Sequence, residues 1–199
     1  LAAAQAALAA LPDNVEVLDR IGRIQMSLGD SQQAVSAFNK LSQLAPKSPL
    51  PQLRLADAYA MAKNSAGVAA AVRKAVEIAP KALPVLQAQA SLAMSEGKPA
   101  QALIAAREIQ AQRPDEAAGY IVEGDVEMRQ KNWDNAAVVL RKALGKKQPT
   151  DAAQRLHSAL MAGKKQAEAD QVASDWRKRH PTDMVFVQYL GDTAMATWW

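Results

Sequence analysis

Apolar side chains recur along this chain at the spacing of an α-helix. Leu18, Ile21 and Gly22 lie three and four positions apart and predict one buried helix face. After a break, Phe38 and Leu41 repeat that spacing in a second segment. The same alternation continues along the chain and predicts helices at 2–11, 15–28, 32–44, 49–62, 65–78, 83–95, 98–112, 116–130, 134–147, 151–162, 165–179 and 183–197.

Residues of one kind return at intervals of about 34 positions. One series is of prolines that each follow a helical segment: Pro12, Pro46, Pro80, Pro114, Pro149 and Pro181. A second series, called here the small-residue column, holds mostly Gly and Ala: Gly22, Ala56, Ala90, Gly124, His157 and Gly191. Proline ends a helix because it lacks an N–H, and small residues let two helices approach closely. The chain is therefore an array of helix–turn–helix repeats.

A 34-residue helix–turn–helix unit resembles the tetratricopeptide repeat. Gly22, Ala34, Phe38 and Pro46 carry this resemblance, together with Tyr59, where that family favours an aromatic residue. The resemblance implies an all-α fold, a right-handed α-solenoid of antiparallel helix pairs. Three positions depart from the pattern, with polar residues in or beside apolar or small columns: Gln89, Glu123 and His157.

The phase of the columns divides residues 1–199 into one solenoid of about five full repeats and two half repeats. The half repeats are 1–14 and 183–199, and the full repeats are 15–48, 49–82, 83–116, 117–149 and 150–182. We expect Asp13, Asp30 and Asp183 to cap helices, and Pro84 and Pro99 to lie in first turns.

The two half repeats lack the helices that would normally cover them. Their apolar residues are Leu1, Leu8, Leu11, Val187, Leu190, Trp198 and Trp199. Because natural arrays end in polar capping repeats, we expect the chain to be a fragment of a longer array that can self-associate through its ends.

Composition argues against an enzyme. The chain has no cysteine, 43 alanines and only two histidines, His157 and His180, so thiolate chemistry is excluded and a histidine metal cluster is not expected. No phosphate-binding glycine loop or nucleophilic serine motif is present. We predict no catalytic, cofactor-binding or metal-binding residue, and we interpret His157 as a packed core residue.

A methionine recurs near one position of successive first helices of the repeats. Met26, Met94 and Met128 lie four residues after the small-residue column, and Met61 lies five after it. These residues either fill gaps between helices or line the concave wall as an adaptable binding surface for a protein or peptide segment. The full set of candidate concave residues is Asp19, Arg20, Arg23, Met26, Arg54, Asp57, Met61, Gln87, Ser91, Met94, Asp125, Met128 and Arg129.

Positive charge concentrates in residues 141–180. That segment holds ten basic and four acidic side chains, a net of +6, while the whole chain carries +4. The C-terminal ends of helices favour cations, which explains part of the bias, and the alternative is contact with an acidic polysaccharide or an anionic membrane surface. The candidate basic patch is Lys146, Lys147, Lys164, Lys165, Arg177, Lys178 and Arg179. Nucleic acid is not expected, because stacking aromatics do not interleave with these residues.

Several segments are similar to bacterial repeat lipoproteins of the PEP-CTERM/exosortase type that are linked to exopolysaccharide export. The most distinctive segment is DAAQRLHSALMAGKKQAEADQVASDWRKRHPTD. This resemblance implies a periplasmic or membrane-anchored location in the bacterial envelope, with the cytoplasm as the alternative. We expect a non-enzymatic protein- or peptide-binding scaffold for export or protein sorting. The alternatives are a polysaccharide-contacting module and a helical regulatory domain of a larger protein.

Overall fold

The computed structural model describes residue 6 and residues 9–147 and 149–196, and in that part of the chain every regular element but one short bridge is helical. Its helices are α1 (Val15–Ser27), α2 (Ser31–Leu44), α3 (Leu50–Met61), α4 (Ser65–Ile78), α5 (Leu83–Ser95), α6 (Pro99–Gln112), α7 (Ala118–Arg129), α8 (Trp133–Leu144), α9 (Thr150–Ala162), α10 (Gln166–Arg179) and α11 (Met184–Ala196). The predicted all-α class of tetratricopeptide helix pairs is confirmed.

The helices fall into two compact units, residues 1–95 with α1–α5 and residues 96–199 with α6–α11. Within each unit a helix packs on its neighbour in the chain, and the first helices of successive repeats also touch, as α1 and α3 do. The prediction of one continuous array over residues 1–199 stays a prediction.

The predicted helix at 2–11 lies mostly outside the described residues, of which residues 6, 9 and 10 are helical. Leu1, Leu8, Trp198 and Trp199 lie outside them as well. At the other end, α11 leaves Met184 and Val185 largely exposed, and Val187 is 38% exposed.

The turn inside each repeat uses one residue in the left-handed region. That residue is Gly29, Lys63, Gly97, Lys131 or Lys164, with φ between 54° and 79°. Glycine adopts this conformation without strain, whereas a lysine there carries a small steric cost. The left-handed conformation therefore follows from the short connection between two packed helices, because lysine adopts it at three of these five turns.

Two of the three aspartates predicted to cap helices do so. Asp30 accepts a hydrogen bond from the Gln33 amide at 3.0 Å, and Asp183 accepts one from the Phe186 amide at 3.0 Å. The prediction for Asp13 is wrong: Asn14 caps α1 by accepting from two backbone amides, because it directly precedes the first helical residue.

Close contact between paired helices forms the core of each repeat. Gly22 of α1 lies against the buried Phe38 ring of α2, and Gly124 of α7 lies against the buried Leu140 of α8. A Cβ atom on Gly124 would lie 2.6 Å from the Leu140 Cδ2 atom, and one on Gly22 would overlap the Phe38 ring. The absence of a side chain on one helix thus makes room for a large one on the other.

One predicted helix is too long. The helix predicted at 134–147 ends at Leu144, and Gly145 follows it as a turn residue. The Lys147 amide then donates to the Asp115 carbonyl at 2.9 Å, and the Ala117 amide donates to the Lys147 carbonyl at 3.1 Å. This short parallel bridge satisfies the backbone groups of residue 147, which helical continuation would have used otherwise.

No helix in the described part of the chain is both long enough and apolar enough to cross a membrane.

The small-residue column contains a matched pair of glycines that tests this packing. We expect Gly22→Ala to lower the free energy of unfolding by about 1–3 kcal/mol, because overlap with Phe38 outweighs the helix propensity of alanine. Gly191 lies in α11, and no atom lies within 4 Å of the position that a Cβ there would take, so Gly191→Ala should raise the free energy by about 0.5–1 kcal/mol. Urea unfolding at 25 °C measures both, and equal effects of the two substitutions would contradict the packing account.

Candidate interaction surface

A cleft of about 500 Å³ opens in the first unit between the start of α1, the end of α2 and the start of α3. Its apolar walls include Leu41, Ala45 and Pro51, and the exposed Val15 and Leu50 stand at its edge. The remaining lining residues are Glu16, Val17, Asp19, Arg20, Arg23 and Ser48. The cleft thus combines an apolar floor with a charged rim.

Three of the predicted binding residues meet in one charged group beside this cleft. The Arg54 Nε atom of α3 donates to an Asp19 carboxylate oxygen of α1 at 2.8 Å, and the Arg23 guanidinium lies 3.9 Å from the other oxygen. Arg20 is exposed, and it forms no ion pair with any described residue. The pairing holds Asp19 in place at the rim of the cleft, while Arg20 stays unpaired among the described residues.

Asp57 lies one turn after Arg54 on α3 and forms no hydrogen bond or ion pair within the described residues. Partial desolvation raises the pKa of its carboxyl, and the attraction of the Arg54 guanidinium opposes that rise. The remaining predicted residues of this unit are spread over α3 and α5. Gln87 and Ser91 are exposed, Met61 is 36% exposed, and Met94 is half-buried.

The recurring methionines lie between the core and the surface of each unit. Met26, Met94 and Met128 are all half-buried, and Met26 and Met128 pack against the core clusters of their units. Each side chain is therefore partly packed between helices and partly exposed, so the gap-filling and the surface interpretations are compatible. Their role in binding a partner stays a prediction.

In the second unit, Asp125 pairs with a residue that was not predicted from the sequence. The Arg155 Nε atom of α9 donates to the Asp125 carboxylate of α7 at 2.7 Å. Desolvation raises the pKa of Asp125, although Arg155 and Arg129 both attract the charged form. Arg129 itself is exposed at the last turn of α7.

His157 is buried, as predicted, and it also belongs to a polar cluster that joins α9 to α11. The Tyr189 hydroxyl lies 2.9 Å from His157 Nδ1 and 2.7 Å from the Ser158 hydroxyl. Burial lowers the pKa of His157 below its ordinary value, with the Asp170 carboxylate opposing. This cluster fastens the last helix through side-chain hydrogen bonds.

The basic residues do not form one patch. Lys164 and Lys165 precede α10, whereas Arg177, Lys178 and Arg179 end it, about 20 Å away at 1.5 Å per residue. Lys165 pairs with Asp134 at 2.7 Å, and Lys146 lies over the Tyr120 ring. Arg177 and Lys178 are exposed, and neither forms an ion pair within the described residues.

The apolar side of the cleft was not predicted from the sequence. Val15 and Leu50 are the first residues of their helices, and nothing in the repeat pattern marks them as exposed. The sequence shows that Arg155 and Tyr189 share a position two residues before the small-residue column, but it does not show which residue each one contacts. In the described residues there is no group of three His, Cys, Asp or Glu that could hold a metal ion.

Comparison with protein families identifies the repeat. The family model for the tetratricopeptide repeat matches residues 20–82 and 88–153, more than half of the chain. The chain belongs to the tetratricopeptide repeat family. A search of curated proteins found no match for this repeat protein.

Solved structures show the same fold in proteins of low sequence identity. TTC0263, a tetratricopeptide protein of Thermus thermophilus, matches with a TM-score of 0.69 and 17% identity over 89% of this chain and 98% of its own. The pilus biogenesis factor PilW matches with 0.68 and 18%, over 92% and 89%. YrrB, described as having an unusual peptide-binding site, matches with 0.55 and 11%, over 94% and 96%. The narrower resemblance to exosortase-type lipoproteins gains no support from these matches.

The buried histidine of this tetratricopeptide protein predicts a pH effect on stability. Because its pKa is lower in the folded than in the unfolded chain, stability is lost as the pH falls below about 6.5. We expect the melting temperature of the parent to fall more than that of His157→Gln between pH 7.5 and pH 5. His180→Gln, which changes the exposed histidine stacked on Trp176, is the control. Parallel curves for the parent and His157→Gln would contradict the effect.

Proposed function

We propose that the protein is a non-enzymatic scaffold that binds an extended segment of a partner protein in the cleft beside α1 and α3. The observation that carries this proposal is the cleft itself, with an apolar floor and the charged side chains of Asp19, Arg20 and Arg23 at its rim. Helical repeats of this family are generally interaction scaffolds, which supports the proposal.

The size and chemistry of the cleft suit a peptide. Its volume of about 500 Å³ falls in the range of ligand pockets, which combine apolar walls with a few polar groups that orient the ligand. Leu50 is 44% and Val15 43% exposed, so both leave apolar area to cover. An apolar side chain of the partner would bury that area, and Arg20 would meet a carbonyl or carboxylate at the rim.

A substitution at the edge of the cleft tests this function. Leu50→Lys places a charge in the apolar cleft, and we expect peptides selected from a displayed library on the parent protein to bind this variant at least about tenfold more weakly. Leu28→Lys is the matched control, because Leu28 is 61% exposed and does not line the cleft. Calorimetry gives the affinities, and selected peptides that bind both variants like the parent would refute the proposal.

The cellular setting is proposed from the sequence resemblance alone. We propose an envelope location, periplasmic or membrane-anchored, and a scaffold role near exopolysaccharide export or protein sorting, with a regulatory domain of a larger protein as the alternative. Self-association is a further proposal, and it draws support from the apolar exposure of Met184, Val185 and Met195 on α11.

The end of α10 supports a second candidate function, contact with an acidic polysaccharide or an anionic membrane. Arg177, Lys178 and Arg179 follow one another in its last turn, and all three are exposed. Arg179 donates only to the Asp175 backbone carbonyl among the described residues, so this turn holds three uncompensated charges. The helix dipole favours positive charge at this C-terminal turn, and the three exposed side chains can still contact a polyanion.

Replacing this turn tests the second candidate. We expect a triple variant, Arg177→Gln, Lys178→Gln and Arg179→Gln, to bind alginate or phosphatidylserine vesicles more weakly than the parent at low salt. Binding by the parent should also weaken with salt, because the Debye length falls from about 10 Å at 0.1 M to about 3 Å at 1 M. Replacing Lys164 and Lys165 at the other end of α10 is the control, and a parent that binds neither material at low salt would refute the candidate.

A further inference from the structure

Successive first helices of the second unit are joined by polar contacts at one repeated pair of positions. Asp125 follows the small-residue column directly, and it contacts Arg155, two residues before the column in the next repeat. Ser158 and Tyr189 occupy the same two positions one repeat later, and they lie 2.7 Å apart. The two contacts place these positions opposite each other on α7 and α9 and again on α9 and α11.

In the first unit, the same pair of positions holds a carboxylate without a partner. Asp57 follows Ala56 of the column, and the opposite position on α5 is Ala88. Helices α3 and α5 touch, and Ala88 is half-buried against the core of the unit. Asp125 pairs with the Arg155 guanidinium, whereas the position equivalent to Arg155 on α5 holds Ala88, whose side chain cannot pair with a carboxylate.

The charges beside Asp57 alternate and end at this carboxylate. Arg23, Asp19 and Arg54 form a chain of contacts of 3.9 Å and 2.8 Å from α1 to α3, and Asp57 follows Arg54 by one turn. Arg54 is already engaged by Asp19, and its attraction does not outweigh the desolvation that raises the pKa of Asp57. A cation next to Asp57 would continue this alternation, and no described residue forms an ion pair with Asp57.

We propose that the partner segment carries an arginine or lysine that pairs with Asp57, three residues away from an apolar side chain that fills the cleft. The inference rests on the proposed function, because the apolar side chain binds the cleft described above. It specifies that the partner sequence contains a basic residue at a fixed distance from the apolar residue.

The spacing follows from helix geometry. Leu50, at the edge of the cleft, and Asp57 lie on one face of α3, seven residues or about 10.5 Å apart at 1.5 Å per residue. A peptide in the polyproline II conformation advances about 3.1 Å per residue with three residues per turn, so side chains three residues apart lie on one face and about 9.3 Å apart. The partner motif is thus an apolar residue, two residues of any type and a basic residue, read in either direction.

An ion pair at this exposed place contributes more to selectivity than to affinity. Exposed pairs are worth up to about 1 kcal/mol, which corresponds to about a fivefold change in the dissociation constant. A glutamate at the same peptide position would face Asp57 and would be rejected by charge repulsion.

Nuclear magnetic resonance titration with synthetic capped octapeptides tests the inference. The first peptide contains Leu-Ser-Ala-Arg at its centre, and the second has Gln in place of Arg. We expect the arginine peptide to bind the parent about fivefold more tightly and to lower the pKa of Asp57. Asp57→Asn should remove the difference between the two peptides, while Asp125→Asn, which breaks the equivalent pair in the other unit, should preserve it.

Three results would overturn the inference, and the first leaves the proposed function standing. If both peptides bind the parent equally well and Leu50→Lys weakens both, the cleft binds peptides and the basic position is refuted. If neither peptide binds at millimolar concentration, both the inference and the binding function of the cleft are refuted. A difference between the peptides that survives Asp57→Asn also overturns the pairing.

Discussion

The structure depends on the close approach of two helices inside each repeat. Gly22 admits the Phe38 ring and Gly124 admits the Leu140 side chain, so the large residue of one helix fills the space left by the small residue of the other. This complementary packing buries apolar area and fixes the distance between the helices. The turn between them must then close in very few residues, and for this reason lysines accept left-handed backbone angles at Lys63, Lys131 and Lys164.

Because packing fixes the helix pairs, the polar residues on the first helices can act between repeats. The Asp125–Arg155 and Ser158–Tyr189 contacts join neighbouring repeats of the second unit at equivalent positions. The first unit uses a different pair, Asp19 and Arg54, beside its cleft. The two units therefore carry surfaces of different chemistry: in the second these positions pair with each other, whereas in the first Arg20 and Asp57 form no ion pair among the described residues.

The methionines illustrate how packing and recognition overlap in such a repeat. Met26 and Met128 pack against the core clusters of their units, yet both stay half-buried. An unbranched thioether tolerates this position between core and surface because it can adopt several shapes at small cost. A residue that closes a gap between helices can therefore adapt to a ligand without loss of the fold.

The sequence by itself determined the fold class, the bounds of most helices and the glycine contacts, because the small-residue and proline columns record which positions must pack. The backbone bridge between Lys147 and residues 115–117, which ends α8 early, was decided by tertiary structure, since it joins segments far apart in the chain. The cleft was decided in the same way. Val15, Leu41 and Leu50 come from three helices, and no local pattern states that they enclose one space. The partner of a charged residue also depends on the register between repeats, so only the tertiary structure shows that Asp125 pairs with Arg155 while Asp57 forms no ion pair among the described residues.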